Sequence, residues 1–349
     1  MIRVLVVDDS LTVRSRLVEL LSAESGIEVV GEAADGRRAV ELCAKLKPDV
    51  VTLDIVMPDM TGLHATEHIM AHNPTPILVV SSSFNRGEVF DTYSALQAGA
   101  VDAIEKPRPE DVGWEARFVD AVRMVARIKV ITHPRARLVT RTRKPSVQPV
   151  ATSTSTEPRE LAAIALGAST GGPGALSSVL SAIAPRFTLP ILVILHIDAP
   201  FASAFAEWLA HQCGHRVRLA VEGERLADAA GSVLVAPAAH HMIVQHGRMR
   251  LVDTPPRNHC RPSIDVLFES LAAELGSGVA AALLTGMGRD GARGLLAIRA
   301  AGGVTFAQDE ATSTIYGMPR EAVAIAAVDR PHPLGEIAQA IDQLARTKP

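Results

Sequence analysis

The sequence predicts an α/β protein built from two doubly wound parts, and three observations lead there. Short apolar runs alternate with helix-length amphipathic segments over the first 130 residues and again after residue 160. A stretch without that periodicity separates the two. Small polar residues recur where the apolar runs stop, which is where parallel α/β sheets gather their chemistry.

In the first part, Ile2–Val7, Glu28–Glu32, Asp49–Leu53, Pro76–Val80 and Val101–Ile104 are short runs rich in β-branched residues. Helical periodicity falls near 12–22, 36–46, 63–72 and 86–98, with a further helix at 115–130. Five strand–helix units imply a doubly wound (βα)5 sheet over residues 1–128. Residues 129–159 are expected to form a flexible linker. His133–Pro145 is basic and Gln148–Pro158 is rich in Pro, Ser and Thr, so neither can bury enough apolar area to order itself. The basic run could serve nucleic acid, but a solvated linker accounts for it more simply. From 160 to 349 the alternation resumes. Strands are expected at Leu161–Ala168, Pro190–Leu195, Ser232–Ala236, Val279–Thr285 and Gly303–Ala307, with helices at 173–183, 200–213, 263–275 and 291–301.

Composition narrows the function. The chain has 349 residues, 48% hydrophobic and 21% charged, enough for two domains with cores of their own. A net charge of −3 supplies no basic field for nucleic acid. Cys43, Cys213 and Cys260 form no CxxC pair, which suits a reduced compartment. No apolar run reaches the roughly 20 residues of a membrane span, and Met1–Asp9 lacks a signal-peptide pattern. A cytoplasmic protein without membrane insertion is expected.

The first part ends its strands on a distinctive set. Asp8 and Asp9 close the first strand, Asp54 follows the third, Ser81 the fourth, and Lys106 the fifth. Strand ends converge at the carboxyl edge of such a sheet. Three carboxylates held together repel unless a cation intervenes, and hard oxygen donors suit Mg²⁺. A hydroxyl and an ammonium beside them could hold phosphate oxygens. One Asp after a strand is commonly a cap or turn residue; the ordered set at four strand ends is harder to explain that way.

The second part offers a nucleophile. Ser169 follows the buried run Leu161–Ala168 and precedes Thr170-Gly171-Gly172 and the helix beginning at Pro173. A hydroxyl there faces free backbone N–H groups and a helix N-terminus, which favour developing negative charge. Its base would be a histidine at a neighbouring strand end, oriented by a carboxylate. His196 ends one strand and Asp290 follows another, while His240 and His241 also follow a strand, so the residues alone leave the base open. An α/β-hydrolase nucleophile elbow is not expected. A phosphate cradle is disfavoured because the turn lacks a Walker lysine. His211, Cys213 and His215 could ligate a metal but sit incidentally near a helix end.

Two resemblances add to this reading. Val6-Val-Asp-Asp-Ser10, Leu53-Asp-Ile-Val-Met-Pro58 with Gly62, Val80-Ser81 and Lys106-Pro107 resemble two-component receiver domains over roughly the first 125 residues. That resemblance implies that Asp54 accepts a phosphoryl group from a histidine kinase. It also implies Mg²⁺ on Asp8, Asp9 and Asp54, with Ser81 and Lys106 contacting the phosphate. Ala103 stands where many receivers carry an aromatic switch residue. Gly167–Gly172, Arg261–Phe268, Leu284–Gly291 and Tyr316–Glu321 resemble the chemotaxis protein-glutamate methylesterase family, CheB. This implies a Rossmann-like parallel α/β hydrolase domain with Ser169 as nucleophile, His196 as base and Asp290 orienting it. Backbone N–H groups near Thr170 and Met287 would form the oxyanion hole, and the esterase site would need no cofactor. The substrates implied are glutamate γ-methyl esters on methyl-accepting chemoreceptors, with glutamine deamidation in some members. Cys260 stands where some members carry His. A non-catalytic adaptor, or an esterase serving another chemosensory array, are the alternatives. A DNA-binding regulator ranks last, since no basic helix-turn-helix follows residue 160.

Overall fold

The structure is a computed structural model that describes residues 1–82, 86–107, 111–128, 130, 161–184, 187–197 and 199–346. The linker expected at 129–159 lies outside these residues except for Val130.

The first part holds strands β1 (Ile2–Val7), β2 (Ile27–Ala33), β3 (Val50–Leu53), β4 (Ile77–Ser81) and β5 (Asp102–Glu105) in the order β2-β1-β3-β4-β5. All neighbours are parallel. Val4–Val7 and all of β3 and β4 are buried, as a sheet covered on both faces requires. The covering helices are α1 (Leu11–Ala23), α2 (Gly36–Leu46), α3 (Gly62–His72), α4 (Arg86–Ala98) and α5 (Trp114–Val125). Ser10, Asp35 and Thr61 cap the first three by accepting from backbone N–H groups. Strand order reverses between β1 and β3, which opens the crevice where Asp8 and Asp54 stand. The helix expected to reach 130 stops at Val125, followed by a turn at 126–127.

The second part has β6 (Ala163–Ala168), β7 (Ile191–Leu195), β8 (Val217–Leu219), β9 (Val233–Val235), the hairpin β10 (His241–Gln245) and β11 (Arg248–Val252), then β12 (Val279–Leu283) and β13 (Val304–Ala307). Its six-stranded sheet runs β13-β12-β6-β7-β9-β8, parallel throughout. Helices α6 (Gly172–Ala182), α7 (Ala199–Cys213), α8 (Ile264–Leu275), α9 (Ala292–Ala300), α10 (Met318–Ala324) and α11 (Leu334–Arg346) cover it. The sequence reading lacks β8, the hairpin, α10 and α11. β8 is three half-buried residues at a sheet edge. The hairpin turns on His246-Gly247, both with positive φ, without the Asn-Gly signature of such turns.

The two parts pack together through α4 against α6 and α7. Tyr93 of α4 is fully buried and donates its hydroxyl proton to the Phe201 carbonyl at 2.7 Å. Its ring lies 5.2 Å from those of Phe205 and Trp208. Gln97 donates to Ser177 Oγ at 2.9 Å.

Candidate phosphoacceptor pocket and active site

At the carboxyl edge of the first sheet, Asp8 is fully buried, Asp54 nearly so, and Asp9 is exposed at the rim. One oxygen of each lies within 4.8 Å of the others. Lys106 Nζ reaches Asp54 Oδ2 at 2.8 Å and Asp8 Oδ2 at 2.9 Å. The second contact is an ion pair without hydrogen-bond alignment, so the buried Asp8 Oδ2 has no aligned donor among the described residues. Burial lifts the Asp54 carboxyl to about 6; Lys106 opposes this and the Asp8 charge adds to it. Asp8 is likewise raised by burial against the pull of Lys106. Ser81 is buried and donates to the Ser82 carbonyl at 3.3 Å. The five positions expected from the sequence therefore share one edge. Asp8 Oδ2, without an aligned donor, and the neighbouring oxygens of Asp9 and Asp54 form a donor set that fits a hard divalent cation.

In the second sheet, Ser169 follows β6, His196 follows β7 and Asp290 precedes α9, so all three stand at one edge. Gly286, between Thr285 and Met287, passes so close that a Cβ there would fall 2.6 Å from Ser169 Cβ. Only glycine fits that approach. Ser169 N–H donates to the Thr285 carbonyl at 3.0 Å, and the Thr285 hydroxyl donates to the Thr170 carbonyl at 3.0 Å. Gln308 holds the Thr285 N–H at 2.7 Å. These bonds fix the turn after the nucleophile. The N–H groups of Thr170 and Met287 have no protein acceptor among the described residues, as oxyanion donors require.

One expectation needs correction. Residues 167–171 read Gly-Ala-Ser-Thr-Gly, with glycine two places on either side of the serine. The segment forms a strand–turn–helix, as a nucleophile elbow does. A side chain at Gly167 would strike Ile264, and Gly171 has φ +78° against Thr314. The G-x-S-x-G spacing is therefore present, but Ser169 lacks the positive φ of a strained elbow, and the chain order Ser169, His196, Asp290 differs from the α/β-hydrolase order.

His196 Nε2 meets Asp290 Oδ2 at 3.0 Å. That assigns the proton to Nε2 and leaves the Nδ1 lone pair toward the cavity. Burial lowers the imidazole pKa, but the hydrogen bonds to Asp290 and Cys260 outweigh it and raise it to about 9. Asp290 is 2% exposed and accepts four further hydrogen bonds: Ser263 Oγ at 2.7 Å, Asn258 Nδ2 at 3.0 Å, and the N–H groups of Ile264 at 2.6 Å and Asp265 at 3.4 Å. Ser263 also caps α8, so the carboxylate sits on a helix N-terminus. Burial pushes its carboxyl up; His196, Ser263 and Asn258 outweigh that and hold it below the ordinary carboxylate range.

Ser169, Thr170 and His196 line one cavity of about 390 Å³ with His259 and Cys260. Its other wall is Asp102, Ala103, Arg117 and Ala121 of the first part. Asp102 Oδ2 accepts from Thr170 Oγ1 at 3.3 Å, one residue from the nucleophile. Ser169 Oγ makes no hydrogen bond among the described residues, a looseness common before substrate binds.

The rival histidines have partners of their own, away from the Ser169 cavity. His241 is fully buried, with Nδ1 accepting from Ser263 N–H at 3.1 Å, and His240 pairs with exposed Asp253. His211 and His215 bond to carbonyls of Glu207 and Leu180, and with Cys213 form no metal cluster among the described residues. The sequence reading missed Asn258, Ser263, Asp265, Thr285, Gly286 and Gln308, which orient the three chemical groups. Ser263, Asp265, Thr285 and Gly286 gave a signal only by lying in the motif segments Arg261–Phe268 and Leu284–Gly291.

Residues 164–341 match the family profile described as CheB methylesterase, and residues 4–115 match the response regulator receiver domain. A protein-glutamate methylesterase/protein-glutamine glutaminase of Geobacter metallireducens is 44% identical over 357 positions, covering 100% of both chains. One from Anaeromyxobacter dehalogenans is 43% identical, over 99% of this chain and 97% of that protein. The crystal structure of the Thermotoga maritima CheB methylesterase catalytic domain aligns with a TM-score of 0.50 at 28% identity, covering 53% of this chain and 99% of that one.

Proposed function

Since the chain belongs to the CheB methylesterase family and carries a response regulator receiver domain, we propose that it hydrolyses glutamate γ-methyl esters, and deamidates glutamines, on methyl-accepting chemoreceptors under phosphorylation control. The observation that carries this is the Ser169 cavity, where His196 is held by a carboxylate with five donors.

Ser169 Oγ attacks the ester carbonyl while His196 Nδ1 takes its proton. Asp290 keeps the ring in the tautomer that leaves Nδ1 free. The N–H groups of Thr170 and Met287 receive the oxyanion. The C–O bond to the methoxy group breaks, and methanol leaves with the proton from His196. Water, deprotonated by the same nitrogen, then cleaves the glutamyl-serine ester. With glutamine, ammonia is the leaving group.

In the receiver, Asp54 is the phosphoacceptor for a chemotaxis histidine kinase. Mg²⁺ fits Asp8, Asp9 and Asp54, where it would neutralise charge on the incoming phosphoryl group. The Asp54 oxygen bonds phosphorus as the donor's phosphoryl bond breaks, with Ser81 and Lys106 contacting the phosphate oxygens. Residues 1–128 form this domain and 160–349 the catalytic one, joined by the segment 129–159. The absence of any described helix long and apolar enough to cross a membrane supports a cytoplasmic place.

Regulation follows from the shared cavity. Asp102 and Ala103 stand across from Ser169, so the unphosphorylated chain obstructs a protein substrate. β5 joins Asp102 to Lys106, and a phosphate on Asp54 draws on Lys106. The test is methanol release from methylated receptor by the full chain, with and without a small phosphodonor. Release that depends on Ser169 but not on His240 supports the reading; release surviving Ser169→Ala overturns it.

A further inference from the structure

We propose that Cys260 and His196 form a binding site for a thiophilic divalent cation, Zn²⁺, which switches the esterase off. Cys260 Sγ lies 3.7 Å from His196 Nδ1. Two ligands of one tetrahedral zinc, with Zn–N near 2.0–2.1 Å and Zn–S near 2.3 Å, stand about 3.6 Å apart. The pair is already at coordinating distance.

Three further features prepare it. Asp290 grips the opposite ring nitrogen at 3.0 Å, the carboxylate–histidine support that metal-ligating imidazoles use to fix their tautomer. The loop carrying the sulfur is closed by reciprocal bonds, Arg257 N–H to the Cys260 carbonyl at 3.1 Å and Cys260 N–H to the Arg257 carbonyl at 2.9 Å. Asn258, in the left-handed region at φ 51°, ties that loop to Asp290 and Asp265. The loop backbone is therefore held in place, and Cys260 Sγ also contacts the Asn258 carbonyl at 3.5 Å. His259 lines the same cavity, and it or water completes the coordination.

Binding balances by proton release: the thiol proton and the proton that the charged imidazole carries on Nδ1 go to solvent, sulfur bonds the metal as thiolate, and the Nδ1 lone pair bonds it on the other side. Mg²⁺, the hard cation the receiver takes, has no affinity for such a donor pair. The consequence for turnover rests on the proposed role of His196: a metal on Nδ1 leaves Ser169 without a base. Metal binding itself does not depend on that role.

The experiment uses the full chain with Mg²⁺ present. Zn²⁺ is titrated into the methanol-release assay for wild type, Cys260→Ser and Cys260→Ala, each first shown to turn over without Zn²⁺. The inhibitory midpoint should rise at least about tenfold in both variants. In parallel, Co²⁺ should give a thiolate-to-metal charge-transfer band in wild type and in the inactive Ser169→Ala protein. That band should vanish in Cys260→Ser and persist in Cys43→Ser and Cys213→Ser. Equal zinc sensitivity of wild type and both Cys260 variants, or a cobalt band that survives Cys260→Ser, would overturn the proposal. A band in Ser169→Ala with no esterase activity in wild type would overturn the esterase reading and leave the metal site standing.

Discussion

The two sheets place carboxylates at the same topological position and treat them in opposite ways. In the receiver, Asp8 and Asp54 share one lysine, and burial raises both carboxyls, Asp54 to about 6. In the catalytic domain, Asp290 has five donors and is held below its ordinary range despite burial. One edge is short of positive charge and is the one proposed to take a cation and a phosphoryl group. The other is saturated and ready only to hold an imidazole. Position in the fold selects where chemistry occurs; the donor count around each carboxylate selects which chemistry.

The contrast can be broken in several places. Ser169→Ala should reduce methanol release by about 10⁴-fold or more, leaving the fold intact. His196→Ala should match it. Asp290→Asn should be roughly 10²-fold milder for turnover, because the base remains. Yet the amide NH2 meets donors in either orientation, Ile264 N–H at Oδ2 or Ser263, Asn258 and Asp265 at Oδ1, so it should also cost about 1–3 kcal/mol of stability in a denaturant titration. Asp54→Asn should abolish phosphate incorporation from a small phosphodonor but leave melting in Mg²⁺-free buffer unchanged or higher, since it removes a carboxylate whose charge is already disfavoured. A melting loss equal to that of Asp290→Asn would erase the contrast.

A pH profile sharpens the same point. Because His196 is raised to about 9, its proton must leave before it can act as base. kcat/KM should therefore climb with pH toward an inflection near 9. An inflection near the ordinary histidine value would show that Asp290 does not hold the charged ring in the working enzyme. The smallest effect belongs to the interface. Tyr93→Ala removes the bond to the Phe201 carbonyl and the packing on Phe205 and Trp208. It should raise unphosphorylated activity severalfold and shrink the response to phosphorylation.

Much of this was legible because strand ends announce themselves. Asp8, Asp54, Ser81, Lys106, Ser169 and His196 each follow an apolar run, and a parallel sheet gathers such ends. The choice of His196 over His240 and His241 came from motif resemblance, because periodicity cannot tell a buried histidine bonded to Ser263 from one facing a cavity. The hold that Ser263, Asn258, Ile264 and Asp265 exert on Asp290 was invisible for a different reason. Asn258 and Asp265 lie on a loop and a helix start whose approach to residue 290 exists only after α8 packs on α9. Local sequence carries no trace of that contact. α11 carries a plain local signal, since its buried Ile337, Ala338, Ile341 and Ala345 recur at helical spacing.

The central claim is that the charge-poor edge governs access to the saturated one. It is tested most directly by methanol release from methylated receptor, before and after treatment with a small phosphodonor and Mg²⁺, for the full chain and for Asp54→Asn. The account predicts a rise on phosphodonor treatment in the full chain and none in the variant. No rise in either protein, or an equal rise in both, would contradict it.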